Sequence, residues 1–270
     1  MSQHEHPHDD LPMAGRKDAD MPGHWLLARM GKRVLRPGGL EMTSQLLADA
    51  GLTGADVVEL APGLGKTAGD IVKANPKSYT GVEADPEAVA LTQSVVGARG
   101  TVVEADAAKT GLTADAADVV VGEAMLTMQS TRGKDAIVGE AFRVLRPGGR
   151  YAIHELALNP DTLSDDQKAE ISKALARSIK VNARPLTEHE WREVLEKAGF
   201  EVERVRFGKM ALLEPRRNLA DEGLLGTLKI VANVARNGDA RQRILGMRKV
   251  FRTYRNELAA IEVIARKPAA

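Results

Sequence analysis

The nine residues Val57-Val58-Glu59-Leu60-Ala61-Pro62-Gly63-Leu64-Gly65 constrain this chain more than any other stretch. A short apolar run reads as a buried strand, and it leads directly into a turn of small residues. With almost no side chain at 61, 63 and 65, the backbone of that turn can come close to a ligand. Lys66 to Ala74 then reads as a helix whose first free N–H groups point back at the same place. Further strands alternate with helical periods along the chain, which argues for an α/β fold.

Glycine spacing separates the families that use such a turn. A phosphate-binding loop ending in Gly65-Lys66-Thr67 requires glycine at position 60, where this chain has Leu60. A dinucleotide fingerprint requires glycine at 61, 63 and 66, and the residues are Ala61, Gly63 and Lys66. The pattern Glu59-x-Ala61-x-Gly63-x-Gly65 instead resembles motif I of the class I S-adenosylmethionine-dependent methyltransferases, an acid followed by alternating glycines. Ala61 is the one departure, tolerated if its φ stays negative.

The rest of the series follows in order. Ser78 to Val82 reads as a second strand ending in Glu83, followed by Ala84, where an acid can accept both hydroxyls of a ribose. Thr101 to Val103 reads as a third strand, ending in Glu104-Ala105-Asp106-Ala107; the resemblance implies that Asp106 takes an adenine amino group, with Ala107 beside it. Asp118 to Val121 is nearly all valine, as in a strand buried on both faces, and delivers Gly122-Glu123-Ala124-Met125. A helix over 135–144 runs into the turn Leu145-Arg146-Pro147-Gly148-Gly149-Arg150, then the strand Tyr151 to His154. That Leu-x-Pro-Gly-Gly turn resembles the quinone-biosynthesis-like (methyltransferase type 11) branch. Thr187 and Glu190 predict a capping box for a helix over 188–198, before strands over 201–207 and 258–266.

The resemblance spans roughly residues 40–210 and 258–266. It implies a Rossmann-like seven-stranded sheet, mostly parallel with an antiparallel last strand, and S-adenosylmethionine as cofactor across the carboxyl ends of the first strands. Glu59, Ala61, Gly63, Gly65, Glu83, Ala84, Asp106, Ala107 and Glu123 are the expected cofactor-binding residues.

The remaining segments define the organisation. Residues 1–22 are polar and read as a disordered tail, and His4, His6 and His8 within it are not taken as a metal site. Residues 23–50 read as two lid helices. In the first, Trp25, Leu26, Met30, Val34 and Leu35 lie near helical spacing, and it stops at Arg36-Pro37-Gly38-Gly39. His24, Trp25 and Thr43 are candidate lid contacts, and Trp25 reads equally as a packing anchor. Residues 51–210 and 258–270 form the methyltransferase-like core. Residues 211–257 read as a helical hairpin turning at Asn237-Gly238 and capping the substrate side, and 161–182 as another helical segment above the pocket.

Composition excludes more than it selects. The chain of 270 residues has no cysteine, which removes disulfides, thiolate metal sites and a cysteine nucleophile. Lysine and arginine total 38 against 37 acids, giving the whole chain no polyanion-binding bias. The 211–257 segment is basic, but it has no tryptophan and few other aromatics, so a base-stacking platform is poorly supplied. No window is long and apolar enough for a membrane span, and a cytoplasmic location is expected. A homodimer is compatible with the sequence.

The chemistry implied is methyl transfer to a small, largely apolar acceptor through oxygen, carbon or nitrogen. Alternatives are an RNA or protein methyltransferase docking through the basic hairpin, or a cofactor-binding protein without turnover. No Asn-Pro-Pro-Tyr type motif follows the fourth strand, where Glu123-Ala124-Met125-Leu126 stands. At the strand ends Glu123, His154 and Glu155 are candidate bases, and His154 is the favoured one, because imidazole titrates near neutrality. Met125 and Met128 are candidates for an adaptable pocket wall, as is Met210, whereas Met247 reads as core filler.

Overall fold

The computed structural model describes residue 12 and residues 15–269. His4, His6 and His8, and most of the expected tail, lie outside the described residues. Eight strands form one sheet: β1 (Asp56–Leu60), β2 (Ser78–Glu83), β3 (Thr101–Glu104), β4 (Ala117–Glu123), β5 (Leu145–Leu158), β6 (Leu186–Thr187), β7 (Glu201–Lys209) and β8 (Leu258–Arg266). The order is β3-β2-β1-β4-β5-β8-β7, with the two-residue β6 paired to β5. All pairings are parallel except those of β8, which runs antiparallel to β5 and β7. The expected seven-stranded arrangement is therefore present, with β6 as an addition. The strand order reverses between β1 and β4, and a crevice opens at such a switch point beyond the strand ends.

Alternation along β4 builds both faces of the core. Val120 joins a cluster with Ile137 and Val138 of α5 (Thr131–Val144) and Trp191 and Leu195 of α7 (Glu188–Lys197). Val119 and Val121 face the opposite way, toward Leu46 of α2 (Gly39–Ala50) and Ala68 and Ile71 of α3 (Lys66–Lys73). A strand covered by helices on both sides has no polar face, which is why this segment is a valine run. The helix starts are set locally. Asp85 accepts from the N–H groups of Glu87 and Ala88 to start α4 (Pro86–Val96). The expected Thr187–Glu190 capping box starts α7.

The helical additions differ in part from the sequence reading. The first lid helix, α1, covers only Gly23–Arg29, because Gly31 turns left-handed at φ +104° and Lys32 to Leu35 run without helix. Val34 and Leu35 are thus not on that helix, although Val34 is buried. The chain is also fixed ahead of Gly23: Met21 is buried, and its carbonyl accepts from Arg243. The expected hairpin is α8 (Pro215–Arg236) and α9 (Gly238–Thr253), turning at Asn237. Gly223 (φ +70°, ψ 178°) interrupts α8. Together with α6 (Asp165–Ile179), α1 and α9 roof the carboxyl end of the sheet, through Leu26, Leu27, Met30 and Met247.

Candidate functional site

A cavity of about 860 Å³ lies at the switch point under this roof. One half is polar. It is lined by Glu59 at the end of β1, Ala61 to Leu64 of the following turn, Lys66 and Thr67 at the start of α3, and Glu83 to Glu87 from the end of β2 onward. The other half is largely apolar and is lined by Trp25, Leu27, Leu35, Met125, Met128, Leu156, Leu175, Ile179, Met210, Leu212, Met247 and Phe251. The sequence-predicted Met125, Met128 and Met210 are therefore wall residues, and Met247 serves both wall and core. Of the lid candidates, His24 and Trp25 line the cavity, with ring centroids 5.0 Å apart. Burial pushes the His24 imidazole down to about 4, so it is neutral at pH 7.

The glycine-rich turn has the expected path but not the expected conformation at Ala61, which adopts φ +53° rather than a negative value. Alanine here takes the left-handed shape of the glycine it replaces, at a strain of roughly 1–2 kcal/mol. Gly63 (φ +57°) is also left-handed, and an added Cβ would meet nothing closer than the Ala61 carbonyl at 4.0 Å. That empty space opens on the cavity, as in a backbone cradle for a ligand. Gly65 (φ +70°) does not line the cavity; a Cβ there would lie 3.1 Å from Thr92 Cα, so its smallness serves the packing of α3 on α4.

Glu83 faces the turn. Its carboxylate accepts from Gly63 N at 3.0 Å, Ala84 N at 2.8 Å and Asp85 N at 3.1 Å. With three of about four acceptor positions used, it has room for one further hydroxyl rather than a full diol. Asp106 and Ala107 are not brought to the cavity. Asp106 is exposed and accepts from Ala108 N at 2.7 Å, holding its own turn, while Ala107 packs against the core.

Glu59 is 3 % exposed and accepts from Tyr79 Oη at 2.7 Å. Burial pushes its carboxyl up to about 8, so it is mostly protonated at neutral pH. Glu123, also a cavity residue, is in the opposite state. Burial would raise it, but the Arg36 guanidinium, with Nε 3.0 Å from Oε2, and the His154 ring hold it down at about 2. Thr43 donates to Glu123 Oε1 at 2.6 Å, and Thr67 donates to Oε2. Arg36 also donates to Thr67. Arg36, Thr43, Thr67, Glu123 and His154 thus form one buried clamp joining the lid, α3 and the ends of β4 and β5. Thr43 is 1 % exposed and belongs to this clamp rather than to the cavity wall.

His154, favoured from sequence as the base, does not fit that role. Its ring is fully buried and outside the cavity lining. Nε2 accepts from Gly38 N at 3.0 Å, and Nδ1 faces Glu123 Oε1 at 2.9 Å, so Nδ1 carries the proton. Neither nitrogen has a free lone pair for a substrate proton. Glu155 is similarly committed. It accepts from the N–H groups of Met125, Leu126 and Thr127 and from the Thr127 hydroxyl, at 2.7–3.0 Å, capping the 3₁₀ turn Leu126–Met128. Arg36 and Thr67 were missed in sequence; the only signal for Arg36 was its place just ahead of the Pro37-Gly38-Gly39 turn.

Comparison with known proteins agrees with this architecture. A family model described as a methyltransferase domain matches residues 57–149. An uncharacterized protein of Haemophilus influenzae is 34 % identical over 254 residues, covering 92 % of this chain and 99 % of that one. Phosphoethanolamine N-methyltransferase 2 of Haemonchus contortus, solved with phosphomonomethylethanolamine and S-adenosylhomocysteine, superposes with a TM-score of 0.69 at 19 % identity, over 97 % of this chain and 60 % of that one. The [4+2]-cyclase SpnF superposes at 0.65 and 19 % identity, over 85 % and 81 %. These matches identify residues 57–149 as a methyltransferase domain, and the reversed strand order, the antiparallel β8, and the acid near the end of β1 with its left-handed turn give the chain the fold of the class I S-adenosylmethionine-dependent methyltransferases.

Proposed function

We propose that the polar half of the cavity binds S-adenosylmethionine and that the apolar half takes a small, largely apolar acceptor to which the methyl group is transferred. The observation that carries this reading is the division of one cavity into a backbone cradle lined by the acids Glu59, Glu83, Asp85 and Glu87 and a wall of aliphatic, methionine and aromatic side chains. Glu83 and Ala84 are assigned to the ribose side, with Gly63 and Ala61 giving close backbone approach and Glu59 and Glu123 at the strand ends below. Bound cofactor supplies an electrophilic methyl group, and the chain's own task is then alignment and exclusion of water.

The acid–base state of the wall supports an acceptor that needs little help in losing a proton. Glu123 is a clamped carboxylate held at about 2, Glu155 and His154 have their acceptor positions filled, and His24 is a weak base at about 4. A neutral amine, a carbanion-like carbon or an already acidic hydroxyl fits such a wall better than an alcohol. Because the same fold carries a cyclase, transfer needs a direct test. Calorimetric titration with S-adenosylmethionine and S-adenosylhomocysteine should show micromolar binding of both, and Glu83→Ala should weaken it by about 1–3 kcal/mol through lost hydrogen bonds. Unchanged affinity in Glu83→Ala would remove the ribose assignment. A mass-spectrometric screen of apolar amines and phenols then tests transfer, and a positive set confined to RNA or protein would overturn the small-acceptor reading.

A further inference from the structure

The outer face of α8 has no partner among the described residues. Leu224, Leu225, Leu228 and Val231 are 65, 83, 56 and 59 % exposed, whereas only Asp221 and Ile230 of the whole helix are buried. The positions 224, 228 and 231 follow helical spacing, so the aliphatic groups form one continuous strip rather than scattered single residues. The break at Gly223 sets the direction of this segment independently of the first turns of α8, which are tied to the lid. There Glu222 Oε1 accepts from Arg33 N at 2.9 Å and Val34 N at 2.8 Å, and Asp221 Oδ1 accepts from Leu40 N at 3.0 Å.

Charge decides what can cover the strip. The exposed ionisable residues of α8 are Arg216, Lys229 and Arg236, with no exposed acid, and none of the three makes an ion pair among the described residues. A second copy of the chain on a two-fold axis would place these cations against their own equivalents. A bilayer with anionic headgroups satisfies both features at once, taking the leucines at the acyl boundary and the cations among the headgroups. The cavity adjoins this face: Arg33, exposed and lining the cavity, is held by Glu222 just before the Leu224 strip.

We propose that the outer face of α8 docks on an anionic lipid surface, so that the cavity mouth at Arg33 faces the membrane interface. This goes beyond the methyl-transfer reading and does not depend on it. The test is co-sedimentation of the full chain with vesicles of phosphatidylcholine alone and of phosphatidylcholine mixed with phosphatidylglycerol. Binding should require the anionic lipid and fall with added salt. The double variant Leu225→Ser/Leu228→Ser and the single variant Lys229→Glu should each lower the partition constant about tenfold or more. The circular-dichroism spectrum and thermal melting of the double variant should match the parent, which shows that the variant is folded and keeps this test separate from that of cofactor binding. Binding to neither vesicle, equal binding to both, or a light-scattering dimer that the double variant dissolves would each overturn the proposal.

Discussion

Replacing Glu59 by glutamine should make the protein more stable, by an amount that depends on pH. In the folded chain the Glu59 carboxyl titrates near 8, against 4.5 for the ordinary group, because it is buried beside Tyr79 with its charge poorly compensated. Between those values the unfolded chain has released the proton and the folded chain retains it. Stability therefore falls as pH rises, by about 1.4 kcal/mol per unit, and the full difference is about 5 kcal/mol above pH 8. Glutamine has the same shape, its amide oxygen still accepts from the Tyr79 hydroxyl, and it carries no charge to desolvate. The gap between Glu59→Gln and the parent should accordingly be close to zero near pH 4, about 3 kcal/mol at pH 7, and level off above pH 8. Urea unfolding of both proteins across that range reads it directly. A gap that stays flat with pH would refute the reasoning, since Glu59 would then be titrating like an exposed carboxyl.

The same carboxyl should respond to a cationic ligand. If the sulfonium of S-adenosylmethionine sits near Glu59, its binding at pH 7 should release a proton, seen calorimetrically as a dependence of heat on buffer ionisation enthalpy, and neutral-sulfur S-adenosylhomocysteine should release less. Ala61→Gly should relieve the left-handed strain and raise stability by about 1 kcal/mol, with a corresponding rise in Tm; no change would mean that the φ of +53° costs little there. His154→Ala should cost about 2–4 kcal/mol by orphaning the Gly38 N–H and removing a donor from buried Glu123. Under conditions where the variant is folded, its pH–rate profile should match the parent's, and loss of the low-pH limb would restore the histidine as a base.

The parts of this fold that were legible in the sequence are those fixed by local pattern. The valine run of β4, the Thr187–Glu190 box and the turn at Asn237-Gly238 each carry their structure in a few neighbouring residues. Ala61 was misread because its backbone is dictated by the turn around it and not by its own side-chain preference. His154 was misread because a strand-end position predicts nearness to the crevice but not which way the ring faces. Only the folded chain brings Gly38, from the lid, onto Nε2 and fixes the tautomer. Asp106 shows the converse: an acid after the third strand satisfies its own turn through Ala108 N instead of reaching into the cavity. The exposed α8 strip was invisible because apolar residues at helical spacing predict burial, whatever the surface that provides it.

The buried clamp on Glu123 bears on how ligands exchange. Arg36 and Thr43 anchor the inner margin of the roof to the sheet through charge-assisted bonds in a water-poor setting, and breaking one partner of such a group costs about 3–5 kcal/mol. The outer margin is held differently, by Leu26, Leu27, Met30 and Met247 across α1 and α9. Flexible thioether contacts can slide and re-form where a buried ion pair must break. The roof is thus fixed by charge at Arg36 and mainly by apolar packing along α9, where Arg243 adds a bond to the Met21 carbonyl. A change at Met30 or Met247 would therefore loosen the roof over the cavity that Met247 itself lines, without touching the ionic clamp on Glu123.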